Sequence, residues 1–277
     1  MKKLFTAICI FLLVLLHMQA IAGTVDTILI QSNYLKKATK FVVIQPTNQS
    51  QLNTQERYPV VYLLNGYDGN YAQWTKTAPQ LAKTADDLKM IFVYPDGGKS
   101  SWYFDSPIDS TSQYESYITK ELVPYIDANF STKANPKSRA ITGLSMGGHG
   151  AMYLAIRHSD VFGAAGSTSG GFDFRPFPKS WDLKNILGDY ENNKERWFEY
   201  TVMRQVELLK NKQLAIIFDC GVDDIFIKVN RALHEKLLQL KIDHDYIERT
   251  GEHNHAYWRS SIDFQMLFFK KFFQVNN

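Results

Sequence analysis

Gly143-Leu144-Ser145-Met146-Gly147 sets a serine between two glycines, with the apolar run RAIT before it and the helix-forming run GGHGAMYLAIRH after it. A chain that turns sharply from strand to helix needs little Cβ bulk on either side of the serine. Such a turn holds the hydroxyl above the sheet, beside a helix amino end. A serine hydroxyl is a weak nucleophile at neutral pH, so it needs a base, and the base needs a carboxylate to orient it. Candidates for both lie downstream. The run FDCGVDDIF carries Asp219 inside a strand-like pattern, and Asp223 and Asp224 in the loop where that strand has ended. The stretch TGEHNHAYW places His253 and His255 in the loop before the last helical run. Serine, then acid, then histidine is an order in which a nucleophile, its orienting acid and its base can be assembled on an α/β sheet.

A tetrahedral intermediate formed at this serine would need preorganised amide donors for its oxyanion. One is the amide of Met146, directly after the nucleophile. The second is expected from the loop YLLNGYDGNYAQW, where Gly66 lets the backbone approach and the amide of Tyr67 is the expected donor. A metal clip at His253-x-His255 is the competing reading. It would need a third ligand, Glu252 being the nearest, and no further His/Cys cluster is present to complete it. No metal and no cofactor is therefore expected. His149, His158 and His234 fall on helical patterns and His244 at a strand start, where a polar face or a satisfied core imidazole is the expected role.

These loops need a scaffold, and the apolar pattern supplies one. Runs at 58–66, 88–98, 138–145, 162–171 and 213–221 are apolar on both faces and end in glycine or polar turn residues, as buried strands of a parallel sheet do. DTILIQS and TKFVVIQP alternate more and read as an antiparallel pair at the start of the sheet; DHDYIERT reads as the last strand. Helical patterns occupy 113–130, 147–158, 224–240 and 256–273. The alternation predicts an α/β fold, a mostly parallel central sheet with helices on both faces. Residues 172–212 are long for a crossover and rich in Trp, Phe and Pro at their start, which predicts an insertion roofing the carboxyl edge of the sheet.

The chain has 277 residues. Its first 22 combine Lys2 and Lys3, an apolar run to Leu16 and Ala20-Ile21-Ala22, the pattern of a secretory signal peptide cleaved after Ala22. The run is short for a membrane span, which takes about 20 apolar residues. The expectation is an exported or periplasmic single domain over 23–277, with no membrane attachment after cleavage. Removing Lys2 and Lys3 from the 31 basic residues leaves 29 against 28 acidic ones, so nothing favours nucleic acid or an anionic surface as a partner. Oligomeric state is not legible. Cys220, the one cysteine left, has no internal disulfide partner and reads as a small buried filler.

Taken together, LLNGYDGNYAQW, VYPDGGKSSWYFDSP, YESYITKELVPYID, GLSMGGHGA, DCGVDD and GEHNHAYW resemble the esterase D-like branch of the α/β hydrolases, from about Val25 to Phe273. That branch includes S-formylglutathione hydrolases, feruloyl and acetyl xylan esterases, siderophore esterases and mycolyltransferases. The resemblance implies Ser145 as nucleophile, Asp224 rather than Asp223 as acid, from the G-x-x-D spacing, and His253 as base, from G-x-H-x-x-x-x-W. His255 then lines either the acyl or the leaving-group side. Asn65-Gly66 replaces a frequent His-Gly, and the Ser-Gly-Leu-Thr-Cys type segment of the S-formylglutathione hydrolases is missing. The implied function is an exported serine carboxylesterase acting on small-molecule or glycan esters, with Trp102, Tyr103 and Trp181 as candidate stacking surfaces. An acyltransferase, a siderophore or thioester hydrolase, and a binding protein without turnover on the same fold are the alternatives.

Overall fold

A computed structural model describes residues 23–47 and 56–276. The expected signal peptide lies outside the described residues. Eight strands form one sheet: β1 (Thr24–Ser32), β2 (Lys37–Gln45), β3 (Val60–Leu64), β4 (Ile91–Pro95), β5 (Arg139–Gly143), β6 (Ala164–Thr168), β7 (Ala215–Gly221) and β8 (Asp245–Arg249), in the order β1-β2-β4-β3-β5-β6-β7-β8. β1 and β2 pair antiparallel, β2 meets β4 antiparallel, and every later pairing is parallel. The antiparallel start and the parallel remainder are those the sequence predicts.

β3, β4, β5 and β6 are buried along their whole length, which explains their uninterrupted apolar runs. Alternate residues feed opposite layers. Tyr62 and Leu64 of β3 join a core with Ile118, Met152, Trp197 and Leu233. Val61 and Leu63 join another with Trp74, Leu81, Ile262 and Phe269. The first layer therefore holds α3 (a run from Tyr114–Ser116 through the π-helical turn Tyr117–Leu122 into Val123–Asn129), α4 (Met146–Arg157) and α8 (Ile227–Gln239), with the short α5 (Lys184–Leu187), α6 (Lys194–Glu199) and α7 (Val202–Gln205). The second layer holds α1 (Gln73–Thr77), α2 (Leu81–Leu88) and the long α9 (His255–Asn276).

Three departures have local causes. The pattern at 113–130 is not one regular helix, because Pro124 cannot donate to the carbonyl four residues back. The Val123 amide instead reaches Ile118, and the turn widens. α1 and α2 escape the periodicity because Ala78-Pro79 splits them. α8 starts at Ile227, not at residue 224, because Asp224 spends its carboxylate on the Phe226 amide and its carbonyl on the Ile227 amide, closing a turn ahead of the helix.

Candidate active site

β5 runs straight into α4, and Ser145 sits at the junction with φ +55° and ψ −117°. A non-glycine residue at positive φ is strained, and such strain is found where the surrounding structure must aim a side chain. The flanking glycines permit it. A Cβ on Gly143 would lie 2.4 Å from the Gly147 carbonyl carbon, and one on Gly147 would lie 2.3 Å from the Leu64 oxygen. A side chain at Gly143 would force the two arms of the turn apart, and one at Gly147 would push the turn off β3.

The Ser145 Oγ lies 2.9 Å from Nε2 of His253, whose Nδ1 lies 2.9 Å from Oδ2 and 3.0 Å from Oδ1 of Asp224. Asp224 is buried, whereas the neighbouring Asp223 is exposed. Asp219, the third candidate, points into the interior. It accepts from Thr168 Oγ1 at 2.9 Å, from Gln265 Nε2 at 2.9 Å and from the Ser261 hydroxyl, which pins α9 to β7. Burial pushes its carboxyl above the ordinary value, and those donors pull against the rise. With the carboxylate holding His253 Nδ1–H, Nε2 is left as an acceptor for the serine proton. The set can thus move a proton from Ser145 to His253 while Asp224 steadies the imidazolium.

β3 ends at Leu64 and leads into the Asn65–Gly69 loop. The Asn65 side chain accepts from the Gly97 amide at 2.8 Å and from the Tyr103 hydroxyl at 3.0 Å, so it fastens this loop to the one after β4. The Gly66 amide donates to Gln73 Oε1 at 2.7 Å and the Asp68 amide to the Lys99 carbonyl at 2.8 Å. Between them, the Tyr67 amide has no acceptor among the described residues. Met146 opens α4, where the first amides of a helix have no intrahelical acceptor. Both amides are available to a developing oxyanion.

His255 is exposed, and its Nδ1 lies 2.8 Å from Thr77 Oγ1. The other aromatic candidates divide. Trp102 and Tyr103 are only 1% and 0% exposed, so neither offers a stacking surface. Both have positive φ, a turn that swings their rings inward. Tyr103 packs on the Gly97 and Gly150 backbones, and Trp102 fills the space beneath Trp181 and Phe174. Trp181 remains half-buried in the 172–212 segment, 5.2 Å from the Phe226 ring, which meets His253 edge-on at 5.3 Å. Asp182 in the same segment accepts from the Tyr67 hydroxyl at 3.0 Å and pairs with Lys99 at 2.9 Å; Lys99 and Tyr67 hold its carboxyl below the ordinary value.

The residue reading missed Phe226 and Gln73. Phe226 carries no local signal, since its contact with His253 depends on how α8 begins. Trp258 appears in the GEHNHAYW motif, yet only the fold reveals its task. Its ring stands edge-on to His253 at 5.0 Å, and its Nε1 donates to Ser169 Oγ at 3.1 Å. His149 is a core imidazole, 3.0 Å from the Tyr200 carbonyl, and burial pulls its pKa down to about 4. Cys220 is buried and free, and burial raises its thiol pKa. Among the described residues, no three or more His, Cys, Asp or Glu side chains are grouped to hold a metal ion.

Over residues 32–269 the chain matches the Esterase family model, described as "Putative esterase". It is 35% identical over 121 residues to Esterase MT1326 of Mycobacterium tuberculosis; the match covers 43% of this chain and 26% of that protein, so the chain spans about a quarter of that relative's length. It is 26% identical over 253 residues to an acetyl esterase of Caldicellulosiruptor saccharolyticus, covering 83% of this chain and 92% of the relative. The solved structure of a ferulic acid esterase superposes with a TM-score of 0.78 at 26% identity, covering 91% of this chain and 99% of that one. With a family match running from the end of β1 into α9 and a mostly parallel sheet that superposes on such an esterase over nine-tenths of its length, the chain belongs to the Esterase family and has the α/β-hydrolase fold.

Proposed function

We propose that this chain is an exported serine carboxylesterase that hydrolyses acyl or aryl esters, including those on plant glycans. The observation that carries the reading is the unbroken line of hydrogen-bonding distances Ser145–His253–Asp224, with its serine held on a strained strand-to-helix turn. Ester chemistry is supported by the family match and by relatives named esterase and acetyl esterase. The glycan preference rests on the likeness to a ferulic acid esterase, and export on the pattern of residues 1–22.

The reaction takes two steps. His253 Nε2 accepts the Ser145 proton as Oγ attacks the ester carbonyl, and Asp224 stabilises the imidazolium through Nδ1–H. The amides of Met146 and Tyr67 receive the oxyanion. Collapse of the intermediate expels the alcohol, which takes its proton from His253, and leaves an acyl-Ser145. Water, deprotonated by His253, then attacks the acyl carbonyl and releases the acid.

Hydrolysis of 4-nitrophenyl acetate by the purified protein and by Ser145→Ala tests this. The variant is expected to lose at least about a thousandfold in rate. Turnover close to that of the parent protein would refute the assignment of Ser145.

A further inference from the structure

A cleft of about 410 Å³ opens beside the catalytic loops, on the α1 side, lined by Asp68, Gln73, Lys76, His255 and Arg259 among others. Its walls connect to the site in two ways. Gln73 Oε1 holds the Gly66 amide at 2.7 Å, and a Cβ on Gly66 would stand 3.4 Å from the Ser145 Cβ. His255 lies two residues beyond His253, and Trp258 meets both rings at 5.0 Å.

In this cleft the Arg259 charge is oriented but not neutralised. Arg259 donates Nε to the Thr77 carbonyl at 2.7 Å and Nη2 to the Lys76 carbonyl at 3.4 Å. Two neutral acceptors fix the guanidinium without cancelling its charge. Neither Arg259 nor Lys76 has a carboxylate partner among the described residues. Lys76 and Arg259 against Asp68 leave one formal positive charge among the Lys, Arg, Asp and Glu side chains of the cleft. A cleft of this balance fits a single anionic group better than a dianion, and a preoriented guanidinium suits a carboxylate.

The side of the ester follows from the chemistry. His253 must hand its proton to the departing oxygen, so the alcohol leaves past the loop that carries His253 and His255. The 172–212 segment reaches His253 through a different neighbour, Phe226.

Building on the serine esterase reading, we propose that this cleft binds a carboxylate carried on the leaving alcohol of the substrate, held by Lys76 and Arg259. The carboxylate stays ionised throughout. The only bond broken is the ester C–O bond, and the alcohol departs with the proton from His253.

Three esters separate the possibilities: 4-nitrophenyl acetate, 4-acetoxy-3-nitrobenzoate with the carboxylate on the leaving group, and 4-nitrophenyl hydrogen succinate with it on the acyl group. In the Lys76→Glu/Arg259→Gln protein the kcat/KM ratio of the nitrobenzoate to the neutral ester should fall about tenfold, the scale of two partly screened charges. Arg259→Lys should recover part of it, and added NaCl should lower the ratio for the parent protein only. Lys76→Glu alone, at an exposed side chain, carries the test should Arg259→Gln not fold. An unchanged ratio in an active enzyme overturns the cleft assignment and leaves the esterase reading standing. A change confined to the succinate ester overturns the leaving-group placement. A parent protein that cleaves none of the three overturns both readings.

Discussion

Asp224 presents both carboxylate oxygens to one nitrogen, His253 Nδ1, at 2.9 Å and 3.0 Å, from a buried position. Oδ1 also accepts the Phe226 amide at 2.8 Å. The carboxylate is thus fixed to the start of α8 as well as to the base. Asp224→Asn should preserve the shape but present an amide N–H to the ring, favouring the wrong tautomer. We expect kcat to fall about ten-thousandfold with a small change in Tm, by analogy with the same change in other serine enzymes. Steady-state kinetics beside thermal unfolding checks this; a loss below tenfold would exclude Asp224 as the orienting acid.

Gln73 takes up the Gly66 amide at 2.7 Å and so anchors the loop whose next amide, that of Tyr67, is the proposed oxyanion donor. Gln73→Ala frees the loop and gives the Gly66 N–H no fixed acceptor. The expected result is a kcat lower by about ten- to a hundredfold, since a displaced oxyanion donor costs transition-state binding. KM should change much less. Gln73→Glu retains an acceptor at the same reach and should restore most of the rate. A boronic acid that mimics the tetrahedral intermediate should lose affinity in parallel with kcat for Gln73→Ala.

The serine and its turn were legible because strand, sharp turn and helix are local, and two glycines mark the tight turn, Gly147 also the close approach to β3. The residues alone left Asp223 and Asp224 open, and only the G-x-x-D spacing of the family resemblance chose Asp224. Adjacent residues in one turn face opposite ways, and what decides is which side chain is buried against His253. Trp102 and Tyr103 misled for a similar reason. Their composition fits a stacking surface, yet two consecutive positive φ angles turn the rings into the core. Phe226 acts across the fold through a ring edge, and Gln73, though in the same loop as Gly66, acts through a side-chain acceptor that its residue type does not announce.

His149 couples the layer behind the site to pH. Burial holds its imidazole neutral down to about pH 4, whereas the unfolded chain takes up the proton near 6.5. Between those values the unfolded state binds more protons, so stability is full above 6.5 and is lost as pH falls toward 4. The span corresponds to roughly 3 kcal/mol. Urea midpoints measured from pH 7 to pH 4 should decline, and His149→Gln should flatten that decline even if the variant is less stable throughout. A slope unchanged by the substitution would mean other groups dominate acid unfolding.

Trp258 ties the base to the sheet. Its indole N–H reaches Ser169, a buried residue at φ +53° whose own amide donates to the Asp219 carbonyl, while the ring edge backs His253. Trp258→Phe keeps an aromatic edge but removes the donor and leaves the Ser169 hydroxyl without it. The lost hydrogen bond should cost about 1–3 kcal/mol in unfolding free energy. If the bond also sets the ring plane, His253 shifts against Ser145 and kcat falls about ten- to a hundredfold with KM little changed. Ser169→Ala removes the same bond from the other end and should reproduce both effects. Lower Tm in the two variants with kcat intact would make the pair a packing contact rather than a support for the base.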